Sequence, residues 1–234
     1  MKHTVLICGY GPAIGHAMAL KFGQEAYPVA LIARDAKRLS AGVSSLTNQG
    51  IHAQAFIADL HDVTQVQAVI QKVRAAMGPI GILHWNAFVD ADGDLLNISV
   101  EDLCLGLSVR VVSYIAAVQA CIDDLEANQG AVLATNGITA MYGTQADAFA
   151  KDYSLLAIPA AAQHKANGLL NQTLALRGVY VGEILLDGFV KGSASASQHG
   201  VPATIDPRDI AEQFWQLNAS RQSHSTTFSD ASRP

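Results

Sequence analysis

The stretch Thr4-Val5-Leu6-Ile7-Cys8-Gly9-Tyr10-Gly11-Pro12-Ala13-Ile14-Gly15 decides the fold. Its first part, Thr4 to Cys8, predicts a short buried strand. Gly9-Tyr10-Gly11-Pro12 predicts a tight turn, and the residues from about Ala13 to Gln24 predict a helix. A strand that hands over to a helix through glycines presents backbone amides at a helix N-terminus. There the dipole favours an anion, and a side chain would hold a phosphate away. The turn is therefore read as a diphosphate cradle built from Gly9, Tyr10, Gly11, Pro12, Ala13, Ile14 and Gly15, with an ordinary tight turn as the alternative.

The same alternation continues along the chain. Pro28 to Ala33, rich in Val, Leu and Ile, predicts a second buried strand, followed by a helix over 36–46. Ile51 to Ala58 predicts the third strand. From Asp62 the positions Val63, Val66, Val69, Ile70, Val73 and Met77 recur at helical spacing until Gly78-Pro79 stops them. Gly81 to Trp85 is the fourth strand. A long helix starts at Ser99, with Asp102 as its acidic capping partner, and reaches Leu125. Ala131 to Thr135 is the fifth strand, Asn136 to Pro159 reads as irregular, and a helix is expected over 160–176 and a strand over 179–186. Asp206 caps a last helix to Leu217, with Pro207 at its first position. The polar segment 220–234 is either an edge strand near Thr226 to Phe228 or a frayed end. Strands and helices in this order predict an α/β protein: a single doubly wound, Rossmann-type parallel sheet with helices on both faces, one dinucleotide-binding domain over 1–234.

Composition bounds the function. Of 234 residues, 50% are hydrophobic and 15% charged, which excludes a disordered chain. Twenty acidic residues against 15 basic leave a net charge of −5, without the basic stripe that nucleic acid or an anionic membrane requires. Cys8, Cys104 and Cys121 are odd in number and lie in apolar stretches, which predicts packed, reduced thiols and a cytoplasmic protein. No signal-peptide core and no run of roughly 20 apolar residues is read, so no membrane partner is expected. The histidines, His16, His52, His61, His84, His199 and His224 among them, lack metal-ligand spacing, and no Gly-x-Ser-x-Gly elbow is present.

Cys8 to Gly15 resembles the Thr-Gly-x-x-x-Gly-x-Gly turn of the short-chain dehydrogenase/reductase family, with Cys8 in place of Thr and Ala13 in place of the middle Gly. Val29 to Asp35 is similar to the family's second strand, and Arg34 stands where enzymes that use NAD often carry a carboxylate. A guanidinium pairs with a 2′-phosphate and a carboxylate repels it, so the resemblance implies NADP (NADPH) rather than NAD. Lys37 and Arg38 are either part of that pocket or solvated charges. Asp59 and Leu60 resemble the segment that meets the adenine, with capping as the alternative for Asp59. Asn86 and Ala87 match the Asn-Asn-Ala-Gly segment after the fourth strand, while Trp85 and Phe88 depart from it. Gly188 and Val190 match the Pro-Gly-x-Val that edges the nicotinamide, with Asp187 replacing Pro. Residues 191–204 would form a mobile substrate-covering loop.

In this family hydride passes between nicotinamide and a carbonyl or alcohol carbon, while a Tyr phenol, its pKa lowered by a Lys one helical turn later, moves the proton. None of the six tyrosines has a Lys four places on. Alignment puts Lys165 or His164 at the Lys position and Ala161 or Ala160 at the Tyr position. The family's Ser falls near Thr135-Asn136-Gly137, and the Asn of the long helix becomes Arg110. The resemblance therefore implies an oxidoreductase with a divergent site. Asn136, Tyr153 and Lys165 are its catalytic candidates, Lys165 is also a cofactor ligand, Tyr142 is a further phenol within reach, and no metal is expected. A small-molecule substrate and a homodimer or homotetramer are implied as partners, the latter through 103–125 and 160–176. Two other readings stay open: a catalytically inactive NADP(H)-binding sensor or partner protein, and a fold relic without a nucleotide.

Overall fold

Strand β1 (Thr4–Cys8) is buried along its whole length because helices cover both faces of the sheet at that point. The structure, a computed structural model, describes residues 2–90, 93–200 and 202–229. After β1 the chain forms α1 (Ile14–Gln24), β2 (Val29–Ala33), α2 (Ala36–Thr47), β3 (Ala53–Ile57), α3 (Val63–Met77) and β4 (Ile80–Trp85). It continues through α4 (Val100–Leu107), a π-helical turn (Ser108–Val112) and α5 (Ser113–Ala127) to β5 (Ala131–Gly137). A 3-10 turn (Ile138–Ala140), α6 (Thr144–Ala150), α7 (Ser154–Ala175), β6 (Tyr180–Asp187), α8 (Ala194–His199), α9 (Pro207–Ser220) and β7 (Ser225–Ser229) complete it.

Among the described residues these strands make one parallel sheet in the order β3-β2-β1-β4-β5-β6-β7. The order reverses between β1 and β4, which opens a crevice at their carboxyl ends. On one face α1, α2 and α9 close over Ile7, Leu31 and Leu133; on the other, α3, α5 and α7 close over Leu6, Ile32 and Val132. The caps expected at Asp62, Ser99 and Asp206 form, accepting from Thr64 and Gln65, from Asp102 and from Arg208, and Asp35 caps α2 as well by accepting from the Lys37 and Arg38 amides.

Several expectations are corrected. The third strand is shorter than 51–58 because β3 lies at the sheet edge and alternates buried with exposed positions. The irregular stretch contains the 3-10 turn and α6. Helix α7 starts six residues before 160 and carries Pro159 inside it, where the ring packs toward Gly106 of α4. Cys104 is exposed, whereas Cys8 and Cys121 are buried and burial pushes both thiols up. The run Val100–Ala127 is long and apolar enough to cross a membrane by length and composition, but half of it is buried in this fold, so core packing accounts for its character. Within the 191–204 segment α8 forms. Residue 201 and residues 230–234 of the polar C-terminal segment lie outside the described residues.

His84 on β4 lies fully buried against the Phe214 ring of α9, with Nε2 3.0 Å from Thr135 Oγ1 and Nδ1 without a partner. Burial holds its pKa down, to about 3. The ring is neutral in the folded protein, whereas in the unfolded chain it takes up a proton near its ordinary value of about 6.5. The stability it contributes is complete above that value and is lost as pH falls toward 3. At 1.36 kcal/mol per unit, the stability difference between wild type and His84→Gln should shrink by about 2 kcal/mol between pH 7 and pH 5. Urea denaturation at the two pH values measures it, and an unchanged difference contradicts the neutral, desolvated ring.

Candidate functional site

The glycine turn is held by backbone hydrogen bonds and one side-chain amide. Gly9 and Tyr10 N–H both donate to Ile32 O of β2, at 3.1 and 2.9 Å. Gly9 has φ +84°, and a Cβ there would lie 2.6 Å from the Ala87 nitrogen. Asn86 closes the clamp: its N–H donates to Cys8 O at 2.9 Å and its Nδ2 to Gly9 O at 3.1 Å. Helix α1 then begins with no side-chain cap and no acidic residue in its first turn, and a Cβ on Gly11 would meet nothing within 4 Å. Uncapped amides beside open space fit a diphosphate. Ile14 continues from that helix end into the wall of a large cavity. Tyr10 does not join the cradle through its side chain. Its ring is buried between α1 and α2, with the hydroxyl 2.9 Å from His16 Nδ1 and against Gly42, and burial raises its pKa.

At the end of β2 Arg34 is exposed, and Asp35 holds Lys37 and Arg38 beside it. The Arg38 backbone hydrogen bond chiefly holds the Asp35 carboxyl below its ordinary value. The three cations succeed one another around the first turn of α2, where a 2′-phosphate fits. Asp59 accepts from the His61 N–H at 3.1 Å, and its own N–H donates to Gln65 Oε1, so it builds the turn before α3; Leu60 is buried.

The cavity lies beyond the carboxyl ends of β4, β5 and β6 and has a volume of about 800 Å³. Asn86, Thr135 and Asn136 reach it from the sheet, Gly188 and Val190 from the segment after β6, and Phe88, Phe149 and Leu156 give it apolar walls. Arg110, in the π-helical turn, also lines it and is 5% exposed. Its Nη1 donates to Asn136 Oδ1 at 2.9 Å and to Gln163 Oε1 at 2.7 Å, while its Cζ lies 5.3 Å from the centre of the Phe88 ring. Asn136 Nδ2 donates in turn to Ala160 O and Glu183 Oε1, both at 2.9 Å. Burial lowers the Arg110 pKa to about 10, against the raising effect of Glu183 and Asp90. The guanidinium therefore stays charged at neutral pH. Three buried polar atoms here have no partner: Arg110 Nε, Gln163 Nε2 and Thr139 Oγ1.

The three catalytic candidates are not brought together. Asn136 lines the cavity, but its amide is committed to the buried network. Tyr153 sits just before α7 with its ring against Phe149, centroids 5.2 Å apart, and is not among the residues that line the cavity. Lys165 is exposed and lines a separate depression of about 360 Å³ with His164, Glu183 and His224. The reason is helical phase: Ala160, Gln163 and Asn167 face the sheet, and Lys165 is two residues, about 200°, beyond Gln163. Thr139 is the residue that sequence reasoning missed. Its Oγ1 lies 3.4 Å from where a Cβ on Gly137 would stand, so a hydroxyl occupies the neighbourhood in which the family's Ser is expected. The only signal is a Thr two residues past Gly137.

A family model described as short chain dehydrogenase matches residues 3–154. The 2,3-dihydro-2,3-dihydroxybenzoate dehydrogenase of Bacillus subtilis is 32% identical over 96 residues, 41% of this chain and 37% of that protein. The chain thus spans well under half the length of that curated relative. Among solved structures, L-sorbose reductase from Gluconobacter frateurii, complexed with NADPH and L-sorbose, has a TM-score of 0.84 at 18% identity, covering 98% of this chain and 95% of that one. A blue fluorescent protein from a metagenomic library, in complex with NADPH, has a TM-score of 0.82 at 21% identity, covering 97% and 96%.

The clamp on the turn makes a stability prediction. Gly9→Ala places a Cβ at positive φ against the Ala87 backbone and should cost about 1–3 kcal/mol, lowering Tm. Gly11→Ala, whose Cβ meets open space, should leave the stability within about 0.5 kcal/mol of wild type. Equal losses for the two variants would remove the distinction between clamp and cradle.

Proposed function

The chain belongs to the short-chain dehydrogenase family, and on that premise we propose that it is an NADP(H)-dependent oxidoreductase acting on a carbonyl or alcohol carbon through a divergent polar site. One observation carries the reading: the uncapped amino end of α1 opens beside Gly11, and its Ile14 reaches the 800 Å³ cavity at the carboxyl ends of the strands. The N–H groups of Gly11, Ala13 and Ile14 hold the diphosphate, and Arg34, supported by Lys37 and Arg38, pairs with the 2′-phosphate. Asp59 and Leu60 border the adenine. Asn86 and Ala87 fix the turn, and Gly188 and Val190 edge the nicotinamide.

When bound, the nicotinamide supplies or accepts the hydride. The chain's own task in reduction is to stabilise the negative charge that develops on the substrate oxygen. The Arg110 guanidinium supplies fixed positive charge at the cavity wall, and Thr139 Oγ1, buried beside it without a partner, turns to donate a hydrogen bond to that oxygen. The proton that completes the alcohol comes from solvent at the mouth, where Tyr142 is 93% exposed. Tyr153 and Lys165 have no direct role in this scheme.

Calorimetry tests the nucleotide half. NADPH should bind more tightly than NADH, and Arg34→Asp should weaken NADPH roughly ten- to a hundredfold, the equivalent of about 1.5–3 kcal/mol. Unchanged relative affinities, or no binding of either nucleotide, would sink it. Loss of NADPH absorbance with a panel of aldehydes, ketones and quinones tests the catalytic half, with turnover reduced about a hundredfold in Thr139→Val. Tight NADPH binding without turnover on any carbonyl would overturn the catalytic half and favour the binding-only reading.

A further inference from the structure

Arg110 carries more hydrogen-bonding capacity than the protein uses. Both of its bonds leave from Nη1, and both end on neutral amide oxygens, Asn136 Oδ1 and Gln163 Oε1. The Nε and Nη2 edge, the planar fork that matches a carboxylate, makes no hydrogen bond among the described residues. No carboxylate among the described residues forms an ion pair with this guanidinium, although Glu183 and Asp90 act on it from farther away. A cation 5% exposed in that state is incompletely compensated. Thr139 Oγ1 and Gln163 Nε2, also buried without partners, add two further unmet polar atoms to the same region. The surrounding wall is apolar, with Phe88, Phe149 and Leu156 among its residues.

We propose that this cavity selects substrates bearing a carboxylate on an aryl or short alkyl body, with the Arg110 guanidinium as the counter-charge. The proposal deepens the oxidoreductase reading and rests on it for the reacting carbon, but anion recognition itself needs no nucleotide. The apolar walls take the body of the ligand, and the guanidinium meets the carboxylate through Nη2, because Nε is itself buried beneath the cavity surface. Asp187 also lines the cavity, but it is not among the charges that act on Arg110.

Calorimetry on the nucleotide-free protein, with benzoate as the anion and benzamide as its neutral isostere, tests the proposal at fixed ionic strength. Benzoate should bind about ten- to a hundredfold more tightly than benzamide. Arg110→Met should erase the difference and Arg110→Lys should keep part of it. Should Arg110→Met fail to fold, Leu156→Trp, which fills the cavity and leaves the guanidinium in place, must abolish benzoate binding instead. Equal affinities, no benzoate binding, or benzoate binding that survives Leu156→Trp overturn the proposal. NADPH binding is scored separately. Benzoate selectivity without NADPH binding overturns the oxidoreductase reading alone, and NADPH binding without benzoate selectivity overturns the anion proposal alone.

Discussion

Glu183 is a carboxylate 1% exposed in the middle of β6, and such a group is tolerated only where its oxygens are supplied with donors. Asn136 and Asn167 donate to Oε1 at 2.9 and 2.6 Å, and His164 Nδ1 and Ser225 Oγ lie 2.5 and 3.3 Å from Oε2. Those partners come from β5, α7 and β7. Tyr114 of α5 extends the network through Asn167 Oδ1, and Arg110 extends it through Asn136. One buried side chain thus ties β5, β6, β7, α5, α7 and the π-helical turn together where the cavity opens. A network that satisfied only part of Glu183 would be worse than an apolar core, so the arrangement is held as a unit.

The π-helical turn lets one helix serve two surfaces. Helix α4 fully buries only Gly106, which lets α7 approach, while α5 buries Tyr114, Ala117, Val118, Cys121 and Leu125 against the sheet. The wider turn between them inserts a residue into the helical repeat and rotates α5 out of phase with α4. Val109 and Arg110 are the buried residues of that turn. A strictly α-helical run would have to satisfy both packing phases with the same 3.6-residue period, and the π turn relieves that conflict at the position where the cation enters the cavity.

The fold was legible wherever burial on both sides of the sheet forces an unbroken apolar run, as in Thr4 to Cys8 and Val29 to Ala33, or where a short polar side chain must cap a helix, as at Asp62, Ser99 and Asp206. It was less legible where a local rule lost to tertiary packing. Pro159 reads as a boundary, yet its ring fills the space beside Gly106 inside α7, and that packing offsets the lost hydrogen bond. The glycine turn could be read because a positive φ and a 2.6 Å approach leave glycine as the unstrained choice at Gly9. The far side of the site could not, because spacing along a chain says nothing about which way α7 turns its residues. Lys165 suits the site by its place in the chain and faces the second depression, while Thr139 belongs to no motif and reaches the cavity.

The positions that depart from the family pattern are neighbours in space. Phe88, where the family has Gly, carries the Arg110 guanidinium 5.3 Å from its ring centre, and Arg110 stands where the family has Asn. Arg110 donates to Asn136, beside the position of the family's Ser, and Asn136 donates to the carbonyl of Ala160, one of the two positions aligned with the Tyr. A large cation and an aromatic ring cannot be added to a packed interior while every old side chain is kept, because interiors are filled close to crystal density. If Ala160 or Ala161 stands at the Tyr position, the volume of a phenol is given up beside the volume that Arg110 and Phe88 add. On the proposed reading, the charge that faces the cavity is the guanidinium in the π turn. A cation held by two amide oxygens and a ring has a fixed orientation, and in an apolar cavity its field falls off more slowly than it would in water. On the same proposed reading, selectivity rests on the substrate's charge as well as on its reacting carbon.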